Sequence, residues 1–351
     1  MLKRLHGLVA ALVLMPMTVV AEEPALKAFG DWQVGCDNVQ HCAALSLPPE
    51  ADGTIAYLRL DRVAGPDAPV ELVLRLFGDW AATSMPIQLT LDADPFPIQN
   101  EAVQTIAGNE MLSLTFLPAE VDAFIEGARK AEKLSISAPG VKAEVSLSGA
   151  VAALLWLDER QGRLDTPSAL IRKGSGKVAP AALALPVLAA KAASGTLPEK
   201  DAGTLTSALR AQFKRLEDDS CEDDEGLIAS DAAWALDGNR RLIALGCSTG
   251  AYNLMTGFWI VDGDDVTAAS PVVFPQGEGE TADNMLINAD FDPKTGHLDF
   301  FSRGRGIGDC GSIGSYVWTG DAFVRTAFSM MGECRGIGAE DWIPLYRSAV
   351  Q

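Results

Sequence analysis

Gly246-Cys247-Ser248-Thr249-Gly250 has the G-x-S-x-G spacing of a nucleophile elbow, and Ser248, Asp290 and His297 follow in the chain order of an α/β-hydrolase triad. In that chemistry the hydroxyl attacks an acyl carbon while the imidazole takes its proton and the carboxylate orients the ring. The elbow must lead from a strand into a helix. Tyr252 to Val261 reads as strand instead, and Cys247 is a candidate for a bridge, so a hairpin loop is the expectation. Gly306, Gly308 and Gly311 match G-x-G-x-x-G, which cradles a pyrophosphate only where a helix follows. Ser315 to Trp318 reads as strand, so neither a dinucleotide nor any other cofactor is expected. Asp262-Gly263-Asp264-Asp265 and Asp290-Phe291-Asp292 carry acids as calcium loops do, but Val266 and Lys294 stand where the fifth position needs a ligand. Both read as turns with no metal, and His41 reads as a surface side chain.

Arg305-Gly306-Ile307-Gly308 recurs as Arg335-Gly336-Ile337-Gly338. Glycine-rich backbone can form an anion-binding nest, and two guanidiniums can grip a carboxylate or phosphate through paired hydrogen bonds. An anion-recognising loop pair is one expectation for Arg305, Gly306, Gly308, Arg335, Gly336 and Gly338. The other is that the glycines serve turns and the arginines pair with Asp309, Glu340 or Asp341.

All six cysteines, Cys36, Cys42, Cys221, Cys247, Cys310 and Cys334, lie after the first 21 residues. An even count in an oxidising compartment reads as disulfides. Zinc would call for C-x-x-C pairs and histidines, and after residue 21 only His41 and His297 are present. Sequential pairing is favoured, because a short loop separates Cys36 from Cys42 and the other four lie in the C-terminal β region. It would place one bridge in the N-terminal domain and two in the C-terminal one, with the two arginine-glycine segments close together.

The elements that must carry these residues are mostly strands. Trp32 and Val34 alternate with Asp31 and Gln33, Val70 to Leu76 has one apolar face, and Ile87, Leu89 and Leu91 alternate with Gln88, Thr90 and Asp92, as in half-buried strands. Pro118 opens a helix at its favoured position, with Glu120 and Asp122 in the first turn. A second helix follows Ser148 as N-cap. Residues 174–200, rich in Ala, Gly and Pro, read as a linker, and a helix is expected from Thr204 to Leu216. Glu217 to Glu225 holds seven acids in nine residues and reads as a solvated loop, the alternative being a site for a cation or basic partner. From Ala232 onward, turn signals at Gly238, Gly263, Gly296 and Gly320 separate short apolar runs, an antiparallel meander that fits a barrel, a sandwich or propeller-like blades.

The chain of 351 residues is 48% apolar and carries a formal charge of -19. That field repels phosphate backbones and anionic lipid, so nucleic acid is a poor partner. Lys3 and Arg4 precede an apolar run from Leu8 to Val20, and Val19-Val20-Ala21 has the form of a signal-peptidase site. The run is too short to span a bilayer, so no membrane anchor is expected. Cleavage after Ala21 removes Lys3 and Arg4 but no acid, which takes the charge from -19 to -21. The expected organisation is a signal peptide over 1–21, an N-terminal β-rich domain over 22–173, linker and helix over 174–220, and a disulfide-bonded antiparallel β domain over 221–351. The fold class is α+β, β-rich.

Phe29-Gly30-Asp31-Trp32 with Cys36 and Cys42, the run Gly306-Ile307-Gly308-Asp309-Cys310-Gly311, Tyr316-Val317-Trp318 and Cys334-Arg335-Gly336 together resemble the exported bacterial family catalogued as domain of unknown function 1176. The resemblance covers essentially all of the chain after residue 21. Residues 26–160, ending in Val145-Ser146-Leu147-Ser148-Gly149 and its helix, are also similar to the invasion-associated locus B family of secreted proteins. The resemblance implies an envelope location in a Gram-negative cell and transfers no catalytic residue. The expectation is a soluble periplasmic protein, not an enzyme, that binds an envelope protein or a small anionic ligand. Two rivals stay open: a hydrolase using Ser248 and His297, and an inhibitor of a cationic cell-wall enzyme such as lysozyme. The acidic charge suits the inhibitor, and Ser312 with Tyr316 resembles the loop of periplasmic lysozyme inhibitors.

Overall fold

The computed structural model describes residues 26–49, 54–78, 84–99, 102–106, 111–216, 218, 220–275 and 283–351. The proposed signal peptide lies outside them. Strands β1 (Leu26–Phe29), β2 (Trp32–Cys36), β3 (Cys42–Ser46), β4 (Ile55–Arg62), β5 (Glu71–Phe77), β6 (Ser84–Pro86), β9 (Ala102–Ile106) and β10 (Met111–Thr115) form an eight-stranded sheet. A four-stranded sheet in the order β12-β11-β7-β8 is built from β7 (Gln88–Leu91), β8 (Asp94–Phe96), β11 (Lys133–Ala138) and β12 (Val141–Ser146). Between them lies one apolar core, completed by helices α1 (Pro118–Ala128) and α2 (Ala150–Arg160). Leu89, Leu134, Ile136 and Val145 point into it. The alternate residues Gln88, Thr90, Ser135, Ser137 and Glu144 therefore lie on the outer face, because successive side chains of a strand take opposite sides.

Beyond residue 160 the chain forms α3 (Glu199–Leu216), α4 (Glu225–Ile228) and two larger sheets. The first contains β14 (Gly195–Thr196), β15 (Ala232–Asp237), β16 (Arg240–Thr249), β17 (Leu254–Asp262), β18 (Ser270–Pro271) and β19 (Met285–Ile287). The second runs in sequence order through β20 (Asp290–Asp292), β21 (His297–Arg303), β22 (Gly311–Trp318), β23 (Phe323–Met331) and β24 (Ile343–Arg347). Among the described residues none of the sheets closes into a barrel. These two share a core of Leu242, Phe258, Phe274, Phe300, Tyr316 and Trp318, while α3 covers the other side of the first sheet through Leu205, Leu209 and Phe213.

Four differences from the sequence reading have identifiable causes, two local and two from distant parts of the chain. The cap of α2 is Gly149 and not Ser148, since the position has φ +92° and an added Cβ would lie 1.7 Å from the Phe29 carbonyl oxygen. Helix α3 begins at Glu199, before Thr204, because the Pro198 carbonyl already accepts from Asp201 and Ala202 at 2.9 and 3.0 Å. The Ala/Pro-rich stretch is stitched down: β13 (Val187–Leu188) pairs with β25 (Ala349–Val350), and Lys191, Ala193 and Ser194 donate to the carbonyls of Trp318, Pro293 and Leu236 at 2.7 to 2.8 Å. Lastly, β2 and β3 are buried on both faces. Gln33, expected on a wet face, is only 4% exposed, because the C-terminal sheets cover the back of the large sheet, where Ala43, Leu45 and Tyr57 join their core.

Polar contacts join the two halves across that back face. Inside the Cys36–Cys42 loop, Asp37 accepts from Val39 and His41 main-chain N–H groups at 3.0 and 2.8 Å and from the Arg347 guanidinium. Asn38 and Arg347 exchange two further bonds, of 3.1 and 2.8 Å. Tyr57 Oη donates to Asp341 Oδ2 at 2.7 Å, and Arg75 Nε reaches the same oxygen at 3.2 Å. Burial first, then the Asp341 charge, pushes the Tyr57 phenol well above its ordinary value.

Candidate binding groove

The outer face of the four-stranded sheet is the floor of a groove made of two adjoining cavities, about 780 and 580 Å³, which share Pro49 and Glu144. Cross-strand register sets the floor in rows: Thr90, Ser135 and Glu144 lie side by side, as do Gln88, Ser137 and Lys142. Pro48, Pro49, Thr54 and Ile55 form the wall beside β12. Arg335 reaches in from the C-terminal half, with Nη1 donating to the Pro48 carbonyl at 3.4 Å and Nε 3.8 Å from Glu333. Lys133 pairs with Glu144 at 2.6 Å, both side chains about half exposed.

The head of the groove is built around Asp31. Gly30 and Gly149, at φ +54° and +92°, let the turn before β2 press against the loop before α2. The Asp31 N–H donates to the Ser148 carbonyl at 2.9 Å, Ser146 Oγ donates to Asp31 Oδ2 at 2.6 Å, and the Trp32 indole N–H donates to the Ser146 carbonyl at 3.0 Å. The Asp31 main chain is thus pinned, and its exposed carboxylate accepts one hydrogen bond, from the Ser146 hydroxyl.

The two arginine-glycine segments do meet. Cys310 is bonded to Cys334, with Cα atoms 4.7 Å apart. The anion between them is the chain's own. Arg305 Nε donates to Asp309 Oδ1 at 2.7 Å, and the Gly336 N–H donates to Asp309 Oδ2 at 2.6 Å. Burial would raise the Asp309 carboxyl, but these bonds outweigh it and hold the group below the ordinary carboxylate range. Asp309 therefore stands where an external anion would bind, and Arg335 is turned to the groove instead. The copies also differ in burial: Ile337 is in the core and Ile307 is 76% exposed. Gly308 has φ +70° and Gly336 φ +80°, consistent with turn roles, whereas Gly306 lies under the Tyr252 ring and Gly338 precedes a short 3₁₀ turn.

The hydrolase residues are not assembled. Ser248 is in β16, followed by a turn and β17, and its Oγ donates to Met255 Sδ at 3.7 Å. His297 lies in the second C-terminal sheet, opposite Asp292 and Val317, and Asp290 pairs with Asp299. Asp265 and Asp292 accept from main-chain N–H groups two residues on, at 3.0 and 2.9 Å, which is turn chemistry. No helix follows Gly311, which opens β22. His41 is not a free surface side chain: its Nε2 is 3.4 Å from Asp61. Tyr316 is wholly buried with Oη bonded to the Pro275 carbonyl at 2.7 Å, and Ser312 faces Ser302 and Met330 within the sheet, so neither forms an exposed loop. The other bridges join Cys36 to Cys42 and Cys221 to Cys247. The one group of potential metal donors among the described residues, Asp309 with Cys310 and Cys334, consists of two bridged sulfurs and an engaged carboxylate. Of the acidic run, residues 217 and 219 lie outside the described residues. Asp218, Glu222 and Asp223 border a smaller cavity beside Arg210, which pairs with Asp231 at 2.7 Å.

Sequence reasoning missed the groove. The available signals were Asp31, breaking an apolar strand start, and the outward polar rows of β11 and β12.

Three comparisons bear on this molecule. The family model described as protein of unknown function (DUF1176) matches residues 26–349. Uncharacterized protein YpfG of Escherichia coli (strain K12) is 28% identical over 349 residues, which covers 95% of this chain and 96% of the relative. The crystal structure of invasion associated protein b from Bartonella henselae matches at 16% identity and a TM-score of 0.30, over 39% of this chain and 99% of that one.

Proposed function

We propose, from the premise that the chain belongs to the DUF1176 family of proteins of unknown function, that it is an exported envelope protein which binds a ligand in the groove and does no chemistry on it. The supporting observation is the groove itself, floored by one half of the chain, entered by Arg335 from the other and headed by the Asp31 carboxylate, which accepts from Ser146 Oγ. Pockets that combine shape with a few placed polar groups are the usual sites of ligand recognition. Export follows from Lys3-Arg4, the apolar run and Val19-Val20-Ala21, and the three disulfides are compatible with an oxidising compartment.

Intact mass of the periplasmic form should begin at Glu22. For the binding role, immobilised wild-type protein and Ser135→Trp, which fills the floor, are exposed to the same periplasmic extract. A ligand held by the wild type and lost by the variant supports the reading. Equal capture by both, with unchanged melting, refutes it.

A further inference from the structure

The groove's lining says which chemical class it takes. Its two cavities run on from one another, so the occupant is elongated. Among the described residues its lining supplies hydroxyls, an amide and charges for hydrogen bonds. The edge of the floor adds a more specific feature. Among the described residues β12 pairs only with β11. The Leu147 N–H donates to the Glu132 carbonyl at 2.9 Å, and Lys133 stands opposite Ser146, so in an antiparallel ladder the bonded pairs fall at alternate residues. The main-chain groups of Lys142, Glu144 and Ser146 therefore point away from β11. The Trp32 indole takes the Ser146 carbonyl. Those of Lys142 and Glu144 have no main-chain partner among the described residues, and both residues line the groove. An extended peptide matches that row with its own N–H and C=O groups.

Charge chooses the side chains. Lys133 is engaged by Glu144 at 2.6 Å, whereas neither Asp31 nor Glu132 has an ion pair among the described residues. Both carboxylates are exposed at the head of the groove, in a chain of net charge -19 that concentrates cations around itself. Lys142 stands four residues along β12 from Ser146, roughly 13 Å away.

We propose that the groove takes an extended polypeptide segment, its main chain along β12 and a lysine or arginine of the segment against Asp31 and Glu132. This rests on the groove being the binding site. Fluorescein-labelled tetralysine, fluorescein-labelled tetraglutamate and chitotetraose are titrated into the full mature chain. The variants are Asp31→Asn with Glu132→Gln, Ser135→Trp, and a control that removes two distant exposed carboxylates, Asp264→Asn with Asp321→Asn. Tetralysine should bind, weaken about tenfold in the Asp31/Glu132 pair and in Ser135→Trp, and change less than about twofold in the control. An equal loss in the control assigns the binding to the general negative field and overturns the proposal. Binding of tetraglutamate or chitotetraose that Ser135→Trp abolishes, with no such effect on tetralysine, overturns the cationic-peptide class and leaves the groove standing. If no probe responds to Ser135→Trp in a variant that melts as the wild type does, the groove reading falls, and the peptide proposal with it.

Discussion

Replacing Asp309 by alanine tests whether the paired glycine loops are held from within. Asp309 is 4% exposed and receives the Gly336 N–H at 2.6 Å, a hydrogen bond to a charged group worth ~1.5 to 3 kcal/mol. Its ion pair with Arg305 counts for less, because that side chain is 48% exposed and water screens it, so about 0 to 1 kcal/mol is appropriate. Asp309→Ala should therefore cost about 2 to 4 kcal/mol in urea denaturation at neutral pH. Arg305→Ala should cost about 1 kcal/mol or less, since water can solvate the carboxylate where the guanidinium stood. The pH dependence follows from linkage. The folded carboxyl lies below its unfolded value of 3.8, so its contribution is fully present above 3.8 and is lost as pH falls through the lower folded value. The deficit of Asp309→Ala against wild type should accordingly shrink under acid conditions. A cost below about 1 kcal/mol, an Arg305→Ala cost equal to it, or a deficit independent of pH would refute the reasoning.

Gly149→Ala, at φ +92° with a Cβ 1.7 Å from the Phe29 oxygen, should lose at least about 3 kcal/mol by thermal or urea unfolding. Tyr57→Phe should cost about 1 to 2 kcal/mol, since Asp341 keeps Arg75 at 3.2 Å, and chemical denaturation measures it. Opening the Cys221–Cys247 bridge, whose separation is 26 residues, should cost about 3.5 kcal/mol in the chain-entropy model, against about 2 kcal/mol for the six-residue separation of Cys36 and Cys42. Paired Cys→Ser variants would show that order. A fluorophosphonate probe should label the wild type no more than Ser248→Ala, and labelling that depends on Ser248 would restore the hydrolase.

The turns of the C-terminal meander were legible because Gly238, Gly263, Gly296 and Gly320 all take positive φ, which glycine adopts at little cost. Strand alternation located β5 and β7 for the same local reason: one face of each is apolar. Alternation could not reveal that β2 and β3 have two covers, because the second comes from residues about 300 positions later. Nor can alternation mark Ser135, Ser137 and Glu144 as groove residues, since the wall beside them comes from the loop after β3 and from Arg335. The Arg305 to Asp309 spacing of four residues was a visible pairing, and it is the one made. The backbone partner at Gly336 depended on the fold.

The burial of β2 and β3 from both sides also has an order in time. Tyr57 meets a partner 284 positions later and Asp37 one 310 positions later, so strands made early are finished by residues made hundreds of positions afterwards. Until then their outer face, with Ala43 and Leu45, stays wet and open to the wrong neighbour. Long-range closure of this kind is slow. A chain of this design is vulnerable between emergence and completion, and truncation at residue 340 should be far more harmful than the loss of eleven residues suggests, since it removes Asp341 and Arg347 together.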